Sequence, residues 1–106
     1  MELKIYWTDF AKNELQKIYT YYKDIANIKT AKKITIKITS KVEILIKQPN
    51  VGQFEQLLSN HKENFRYLVS EKNFKIIYWV NIEKGRIEIV DVFDTRQNPS
   101  KMIKER

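Results

Sequence analysis

Residues 74–80, FKIIYWV, constrain the fold of this 106-residue chain more than any other segment. In an extended strand, one face of this run would be wholly apolar or aromatic, and the other face would carry Ile77 and Trp79. The first face would hold Phe74, Ile76, Tyr78 and Val80. Because both faces avoid water, such a strand needs cover on both sides. We therefore predict that this run is the central strand of a sheet.

Two further strand-like runs flank this one, at residues 65–70 and 86–93. The breaks between the runs are short and polar, at residues 71–72 and residues 83–85. Short breaks between strand-like runs are typical of hairpins. The three runs therefore predict an antiparallel meander, and the polar segment before them is expected to be a loop.

The N-terminal part of the chain predicts a short strand followed by a helix. Residues 3–7 are rich in β-forming side chains, and Thr8 followed by Asp9 is typical of a helix N-terminus. Apolar residues then recur at steps of three and four, which places them on one helical face. They are Ala11, Leu15, Ile18, Tyr22 and Ile25. We expect this face to pack into the core.

Residues 30–49 are compatible with either a strand or a helix. Ile34, Ile36 and Ile38 alternate as in a strand, but apolar residues from Ala31 to Leu45 follow helical spacing over a longer window. The longer window favours a helix, which Pro49 would end. A turn at residues 27–30 would then join two antiparallel helices.

Together these elements predict one α+β domain over residues 1–106. It would contain an N-terminal strand, a helical hairpin and a three-stranded antiparallel meander, with the helices packed on one sheet face. A chain of this length has room for one hydrophobic core. Its 42% apolar content and only two glycines and two prolines exclude a disordered or low-complexity polypeptide.

Composition also limits the chemistry. The chain has no cysteine and one histidine, so we expect no disulfide, no thiol catalysis, no metal site and no cofactor. No secretion signal or membrane-spanning stretch is evident, which predicts a cytoplasmic protein without a membrane partner. The formal charge of +7 favours a polyanion or an acidic protein as partner.

Two sets of side chains on the predicted hairpin are candidates for partner binding. Lys33, Lys37 and Lys41, with Lys29 before them, recur every four residues and would form a cationic stripe. This stripe is either a solvated helix face or a docking surface. Tyr19 and Tyr21 lie off the apolar stripe of the first helix, where they either pack on that helix or border an interface.

The chain resembles the RelE/ParE superfamily of bacterial toxins in an ordered series of motifs. These are AxxxLxxIYxYY in the first helix, Leu45 followed by Pro49 and Gly52, Phe65-Arg66 followed by Leu68-Val69, FKIIY at residues 74–78, and VFDTRQNP at residues 92–99. The resemblance spans nearly the whole chain. It implies the toxin of a type II toxin-antitoxin module of the plasmid-stabilisation type, neutralised by a cognate antitoxin.

The resemblance implies one of two mechanisms. RelE-like members cleave mRNA on the ribosome, whereas ParE-like members poison DNA gyrase and are not nucleases. Metal-free RNA cleavage by the adjacent 2′-OH needs a base, an acid and cations around the phosphate. A RelE-like reading assigns the cations to Arg66, Lys75 and Arg96, which are expected to converge at one sheet edge. It assigns the base to Glu55, which lies in an E-x-L motif.

Several departures from the RelE-like pattern favour the ParE-like branch. Lys75 replaces an arginine and loses its bidentate contact to phosphate. Residues 101–104, KMIK, offer no counterpart of the C-terminal tyrosine of the nucleases. Asp94 stands where related sequences often carry a histidine, and we expect it to pair with Arg96 or Arg66. His61 is expected to be a loop histidine without a catalytic role.

Three functions therefore remain open on the sequence: a toxin that poisons DNA gyrase, a ribosome-dependent mRNA endoribonuclease, and an inactive basic domain that still binds an antitoxin. The sequence favours the first. Without its antitoxin, the chain is expected to self-associate through the surfaces that the antitoxin would cover.

Overall fold

The computed structural model describes residues 2–102, so Met1 and residues 103–106 of the expected domain lie outside the described residues. Strand β1 (Lys4–Trp7) leads into helices α1 (Asp9–Ile25) and α2 (Ile28–Val42), followed by the one-turn helix α3 (Ile44–Lys47). Strands β2 (Gln53–Phe54), β3 (Arg66–Ser70), β4 (Phe74–Asn81) and β5 (Arg86–Asp94) complete the sheet. Two single-turn 3₁₀ helices lie at Gln56–Leu58 and Pro99–Lys101.

The strands form one mixed sheet in the order β1-β5-β4-β3-β2. The meander β3-β4-β5 is antiparallel, as the sequence predicts, and β4 lies at its centre. Strand β1 pairs in parallel with β5, with Lys4 opposite Arg86 and Trp7 opposite Ile89. The Thr8 hydroxyl extends this pairing by donating to the Ile89 carbonyl at 2.9 Å.

Capping residues define the helical hairpin. The Thr8 hydroxyl accepts a hydrogen bond from the Ala11 amide, which confirms the predicted start of α1. The Asn27 side chain accepts one from the Thr30 amide, so α2 begins within the segment expected to be a turn. The predicted second helix is also interrupted. At Glu43 the amide bonds the Ser40 carbonyl, and this tighter turn separates α2 from α3.

Two buried clusters cover the two faces of the sheet. Residues of α1 and α2 pack on the first face, here called the helix face, against Ile76, Tyr78 and Ile89. On the opposite outer face, Leu58 and Met102 pack over Ile77, Val90 and Phe93. The α+β class and the two-sided cover of β4 are confirmed. The cover of the outer face comes from the segment after β2 and the segment after β5.

Strand β2 and the 3₁₀ helix Gln56–Leu58 lie in the segment that the sequence predicts to be an irregular loop. Strand β2 is only two residues long and pairs with Arg66 and Tyr67. Within residues 2–102, no helix is long and apolar enough to cross a membrane.

Candidate functional site

A buried tyrosine organises the loop between α3 and β2. The Tyr78 side chain is fully buried, and its hydroxyl donates to the Pro49 carbonyl at 2.8 Å and accepts from the Gly52 amide at 2.9 Å. Burial raises the pKa of the Tyr78 hydroxyl, so this group stays neutral and keeps its proton for Pro49. A Cβ atom at Gly52 would lie 2.6 Å from the Tyr78 hydroxyl oxygen. Only glycine therefore fits against Tyr78 at this position.

Arg66 contacts the same loop from β3. Its Nη1 atom donates to the carbonyls of Asn50 and Gly52, at 3.0 Å and 2.7 Å. The guanidinium group also lies over the Phe54 ring, 4.0 Å from its centre. Arg66 therefore holds the 49–54 loop against β3. Its remaining N–H groups border a cleft that Lys62, Asn64 and other residues line.

Glu55 and Lys75 form an ion pair on the outer face of the sheet. The Lys75 amine donates to one Glu55 carboxylate oxygen at 2.7 Å, and the other oxygen accepts from the Leu57 amide at 3.1 Å. The Glu55 side chain is 3% exposed and that of Lys75 is 21% exposed. The Lys75 amine also lies 4.3 Å from the centre of the Tyr67 ring. Both charges are thus used within the fold, where Glu55 caps the 3₁₀ helix.

Arg96 pairs with Asp94 at the end of β5, as one of the sequence-based alternatives predicted. The Arg96 Nε and Nη2 atoms donate to the two carboxylate oxygens of Asp94 at 3.0 Å and 2.8 Å. The hydrogen bond from Arg96 lowers the pKa of the Asp94 carboxyl. The same guanidinium also contacts the Tyr22 hydroxyl of α1 at 3.4 Å. These groups border a groove of about 390 Å³ whose lining includes Phe74 and Val92.

The expected convergence of the three cations is wrong. Arg66 lies opposite Tyr78 and so shares the helix face, whereas Lys75 lies three residues before Tyr78 and projects to the outer face. Arg96 follows β5 and contacts α1 on the helix face. The register of the β3–β4 hairpin causes this separation, because Lys75 pairs with Val69, which lies three positions along β3 from Arg66, and residues an odd number of positions apart project to opposite faces. Only Lys75 and Glu55 are brought together, as a buried pair.

Two further candidates from the sequence are the loop histidine His61 and the C-terminal segment 101–104. His61 lies at the loop before β3 with its ring edge against Phe65, at 5.6 Å between centres. Ile103 and Lys104, which stand in the region of the nuclease tyrosine, lie outside the described residues. Among residues 2–102, no three His, Cys, Asp or Glu side chains are grouped so as to hold a metal ion.

The candidate partner residues lie around the helical hairpin in different grooves. Tyr19 lines a groove of about 380 Å³ between α1 and α2, which also contains Trp7 of β1. Tyr21 lines the groove beside Arg96. Lys37 and Lys41 line a third groove, between α2 and β3. Lys33 is exposed on α2 between these surfaces.

Helix α2 is strongly basic. It contains five lysines and no acidic residue, against a net charge of +7 for the whole chain. Within residues 2–102, only Lys37 among these lysines forms an ion pair, at 3.8 Å from Glu71. Two isoleucines of α2, Ile28 and Ile36, are also more than half exposed. This face therefore combines unneutralised charge with exposed aliphatic surface.

The sequence did not predict the contact between Tyr78 and Gly52 that organises the loop between α3 and β2. Both residues belong to motifs noted from the sequence, but neither motif indicates that a tyrosine in a central strand reaches a loop 26 residues earlier. A polar atom within a run that is otherwise apolar is the signal that could have prompted this expectation, because a buried hydroxyl needs partners.

Comparison with known proteins adds the following. The family described as the ParE toxin of type II toxin-antitoxin systems, parDE, matches residues 5–99. Among solved structures, a chain of the chromosomal ParDE toxin-antitoxin system from P. aeruginosa is similar, with a TM-score of 0.73 and 23% sequence identity over 88% of this chain and 96% of that chain. At that identity the likeness concerns the fold. No curated protein sequence matches this chain.

Proposed function

This chain belongs to the ParE toxin family of type II toxin-antitoxin systems, and from that membership we propose that it arrests bacterial growth by poisoning DNA gyrase and is neutralised by a cognate antitoxin. Membership confirms the resemblance found in the sequence motifs. The gyrase target and the antitoxin are the proposed part.

One observation carries the choice of gyrase over RNA cleavage. Each side chain assigned to a nuclease site is bound to another part of the protein: Arg66 to the 49–54 loop, Lys75 to Glu55, and Arg96 to Asp94. A phosphate in a cleavage transition state would need several of these cations around it at once. Their separation over two faces of the sheet supports a toxin that acts by binding.

The antitoxin is proposed to dock on the helical hairpin. This surface carries Tyr19, Tyr21, Lys33, Lys37 and Lys41, and its excess of positive charge suits a partner with acidic segments. Charge attraction of this kind mainly accelerates association and weakens as salt rises.

Brief induced expression of the toxin in a bacterial host tests the proposal. We expect growth arrest with a DNA-damage response and intact transcripts, because a poisoned gyrase leaves broken DNA. Arg96→Gln is the matched variant, since its side chain is 53% exposed and its loss leaves the core intact. Codon-phased mRNA cleavage that disappears in Arg96→Gln would instead identify a nuclease. Normal growth would identify an inactive domain.

Purified components provide the second test. Gyrase, supercoiled DNA and the toxin are expected to yield linear DNA after denaturation of gyrase, and Glu55→Gln should behave as the original protein does. Cleavage of mRNA by toxin and ribosomes without any effect on gyrase would overturn the proposal.

A further inference from the structure

Strand β4 extends further than its neighbour β3. The pairing of these two strands ends at Arg66 and Tyr78, but β4 continues to Asn81, whose partner lies in β5. Among residues 2–102, no strand therefore pairs with the β3 side of β4 beyond Tyr78. The residues before β3, 62–64, are not part of the sheet. A cleft of about 240 Å³ lies where the two strands diverge, and its lining includes Trp79.

The charge in this cleft is positive on balance. Lys62 and Arg66 line it, and Glu63 is the one acidic residue among the described residues of the lining. The two bonds from Arg66 to the 49–54 loop both come from its Nη1 atom, and a guanidinium group has five N–H groups. Arg66 is thus held in a fixed position and keeps donors for an anion. Its planar fork suits the oxygens of a phosphate.

Aromatic and amide side chains border the same cleft. Arg66 covers one side of the Phe54 ring, yet Phe54 remains 52% exposed. Trp79 provides a second ring, and Asn50 and Asn64 provide side-chain amides. Aromatic rings stack with the bases of unpaired nucleotides, and amides bond to base edges. The lining therefore combines groups for a phosphate with groups for a base.

We propose that this cleft, bounded by Phe54, Lys62, Asn64, Arg66 and Trp79 and here called the Arg66 cleft, binds a single nucleotide. Its phosphate lies at Lys62 and Arg66, and its base lies against Phe54. The nucleotide is free or belongs to an unpaired strand. The inference goes beyond the proposed function, since neither gyrase nor an antitoxin takes part in it. Binding of this kind also needs no acid or base, so it does not imply RNA cleavage.

A nucleotide fits the Arg66 cleft better than an acidic peptide does. A carboxylate side chain would pair with Lys62 or Arg66 but would leave the Phe54 ring exposed. A base has a flat face for that ring and polar edges for the Asn64 amide. The small volume of the cleft, below the usual range for drug-sized ligands, suits one nucleotide.

Fluorescence of Trp79 tests the proposal in the whole toxin. The chain has two tryptophans, and Trp7→Phe leaves Trp79 as the reporter. At low salt, adenosine 5′-monophosphate (AMP) is expected to quench this fluorescence with a dissociation constant on the order of 0.1 mM. Inorganic phosphate and adenosine each make part of the contacts, so both should bind about tenfold more weakly.

Two variants in the Trp7→Phe protein test the two halves of the site. Phe54→Ala removes the stacking surface and is expected to weaken AMP binding about tenfold. Leu57→Ala is its control, because Leu57 is also exposed, at 56%, and does not line the cleft. Lys62→Gln should weaken binding about threefold, whereas Lys23→Gln removes the same charge from α1 and should leave it unchanged. Circular dichroism checks the fold of each variant.

Nuclear magnetic resonance of the isotope-labelled toxin without substitutions gives an independent measurement. AMP is expected to shift the amide signals of Asn64 and Arg66 and to leave those of α2 in place. Absence of these shifts, or equal losses of affinity in variants and controls, would overturn the inference. Binding of tetraglutamate or of inorganic phosphate as tight as that of AMP would overturn it too.

A short single strand of deoxyadenosine distinguishes the two sources of the nucleotide. Tighter binding of this strand than of AMP, lost when the strand is paired in a duplex, would assign the site to an unpaired strand. Tighter binding of AMP would assign it to a free nucleotide. The activity proposed above is tested separately. A toxin that acts on gyrase but does not respond to AMP or to the strand would remove only the nucleotide site, and the reverse result would remove only the gyrase target.

Discussion

Polar groups have opposite environments in the loop around Tyr78 and on the solvent-exposed face of α2. Around Tyr78, Arg66, Gly52 and Pro49 each make hydrogen bonds within the fold. On α2, five lysines stand in one helix with a single ion pair among the described residues. Polar residues of the first region hold the structure together, whereas those of the second have unused capacity for a partner. The polar groups of the first region therefore contribute to stability, and those of the second are available for binding.

The largest effect is expected at Gly52. Gly52→Ala would place a methyl group 2.6 Å from the Tyr78 hydroxyl oxygen and 2.8 Å from the Tyr67 carbonyl oxygen. Overpacking against backbone and a buried ring should lower the free energy of unfolding by about 3 kcal/mol. Urea denaturation followed by circular dichroism measures this change.

Gly85→Ala is the matched control for Gly52→Ala. Gly85 has a φ of +64° but open space around it, so alanine there should cost only about 1 kcal/mol. Equal losses for the two variants would show that the 49–54 loop yields easily, and the contrast between the two regions would fail.

The Glu55–Lys75 pair should have the next largest effect. Lys75→Met leaves the buried Glu55 carboxylate without its partner, and we expect a loss of about 2 kcal/mol, below the range for fully buried pairs because Lys75 is 21% exposed. The Glu55→Gln, Lys75→Met double variant should recover part of it. If Lys75→Met were as stable as the original protein in urea, Lys75 would be free for another role.

Tyr78→Phe tests the hydroxyl alone. The change leaves the Gly52 amide and the Pro49 carbonyl without a partner at a buried site, which should cost about 1.5 kcal/mol. Tyr21→Phe, at a side chain that is 53% exposed, should leave the thermal midpoint unchanged. Similar small losses in both variants would mean that water replaces the Tyr78 hydroxyl.

Acid should lower the stability of the protein through Glu88 and Asp94, two carboxylates of β5 that are paired within the fold. Burial alone would raise the pKa of Glu88, but hydrogen bonds from Asn81 and Arg86, with the charge of Arg86, outweigh burial and hold that pKa below its ordinary 4.5. Asp94 is held below its ordinary 3.8 by Arg96. The unfolded chain therefore binds protons at higher pH than the folded chain. The stabilisation from these two carboxylates is complete above their ordinary pKa values. It is lost as the pH falls through their lower pKa values in the folded protein.

A stability profile in urea between pH 3 and pH 7 checks this dependence. Glu88→Gln and Asp94→Asn should each flatten its acid limb. An unchanged slope in both variants would show that other carboxylates control acid unfolding.

The smallest effect, and one of opposite sign, is expected on α2. Lys33→Glu places a carboxylate four residues from both Lys29 and Lys37, so it should raise the free energy of unfolding by about 0.5 kcal/mol. Lys17→Glu is the control, because it breaks the Lys17–Glu14 pair and should destabilise α1 slightly. Destabilisation by Lys33→Glu in urea would mean that the stripe is not a site of uncompensated charge.

The sequence predicted the parts of the fold that depend on local patterns. The Thr8 cap, the helical face of α1 from Ala11 to Tyr22 and the three runs of the meander all follow from neighbouring residues. The expectation that Ile25 would pack into the core with this face is wrong, because Ile25 ends α1 and is 60% exposed. The parallel pairing of β1 with β5 and the two-residue β2 were not predicted, since contacts between distant segments create them. Likewise, residue types at Arg66 and Lys75 suggested a cationic site, but the hairpin register places them on opposite faces. That register could have been counted from the turn at residues 71–73.

The pairing of β1 with β5 also has a consequence for biosynthesis. Lys4 meets Arg86 and Trp7 meets Ile89, so the first strand to leave the ribosome joins the sheet through the last strand made. At bacterial translation speeds, the intervening residues take on the order of ten seconds to emerge. During that interval the nascent chain cannot complete its sheet. An antitoxin already present in the cell would have that interval in which to contact the unfinished toxin.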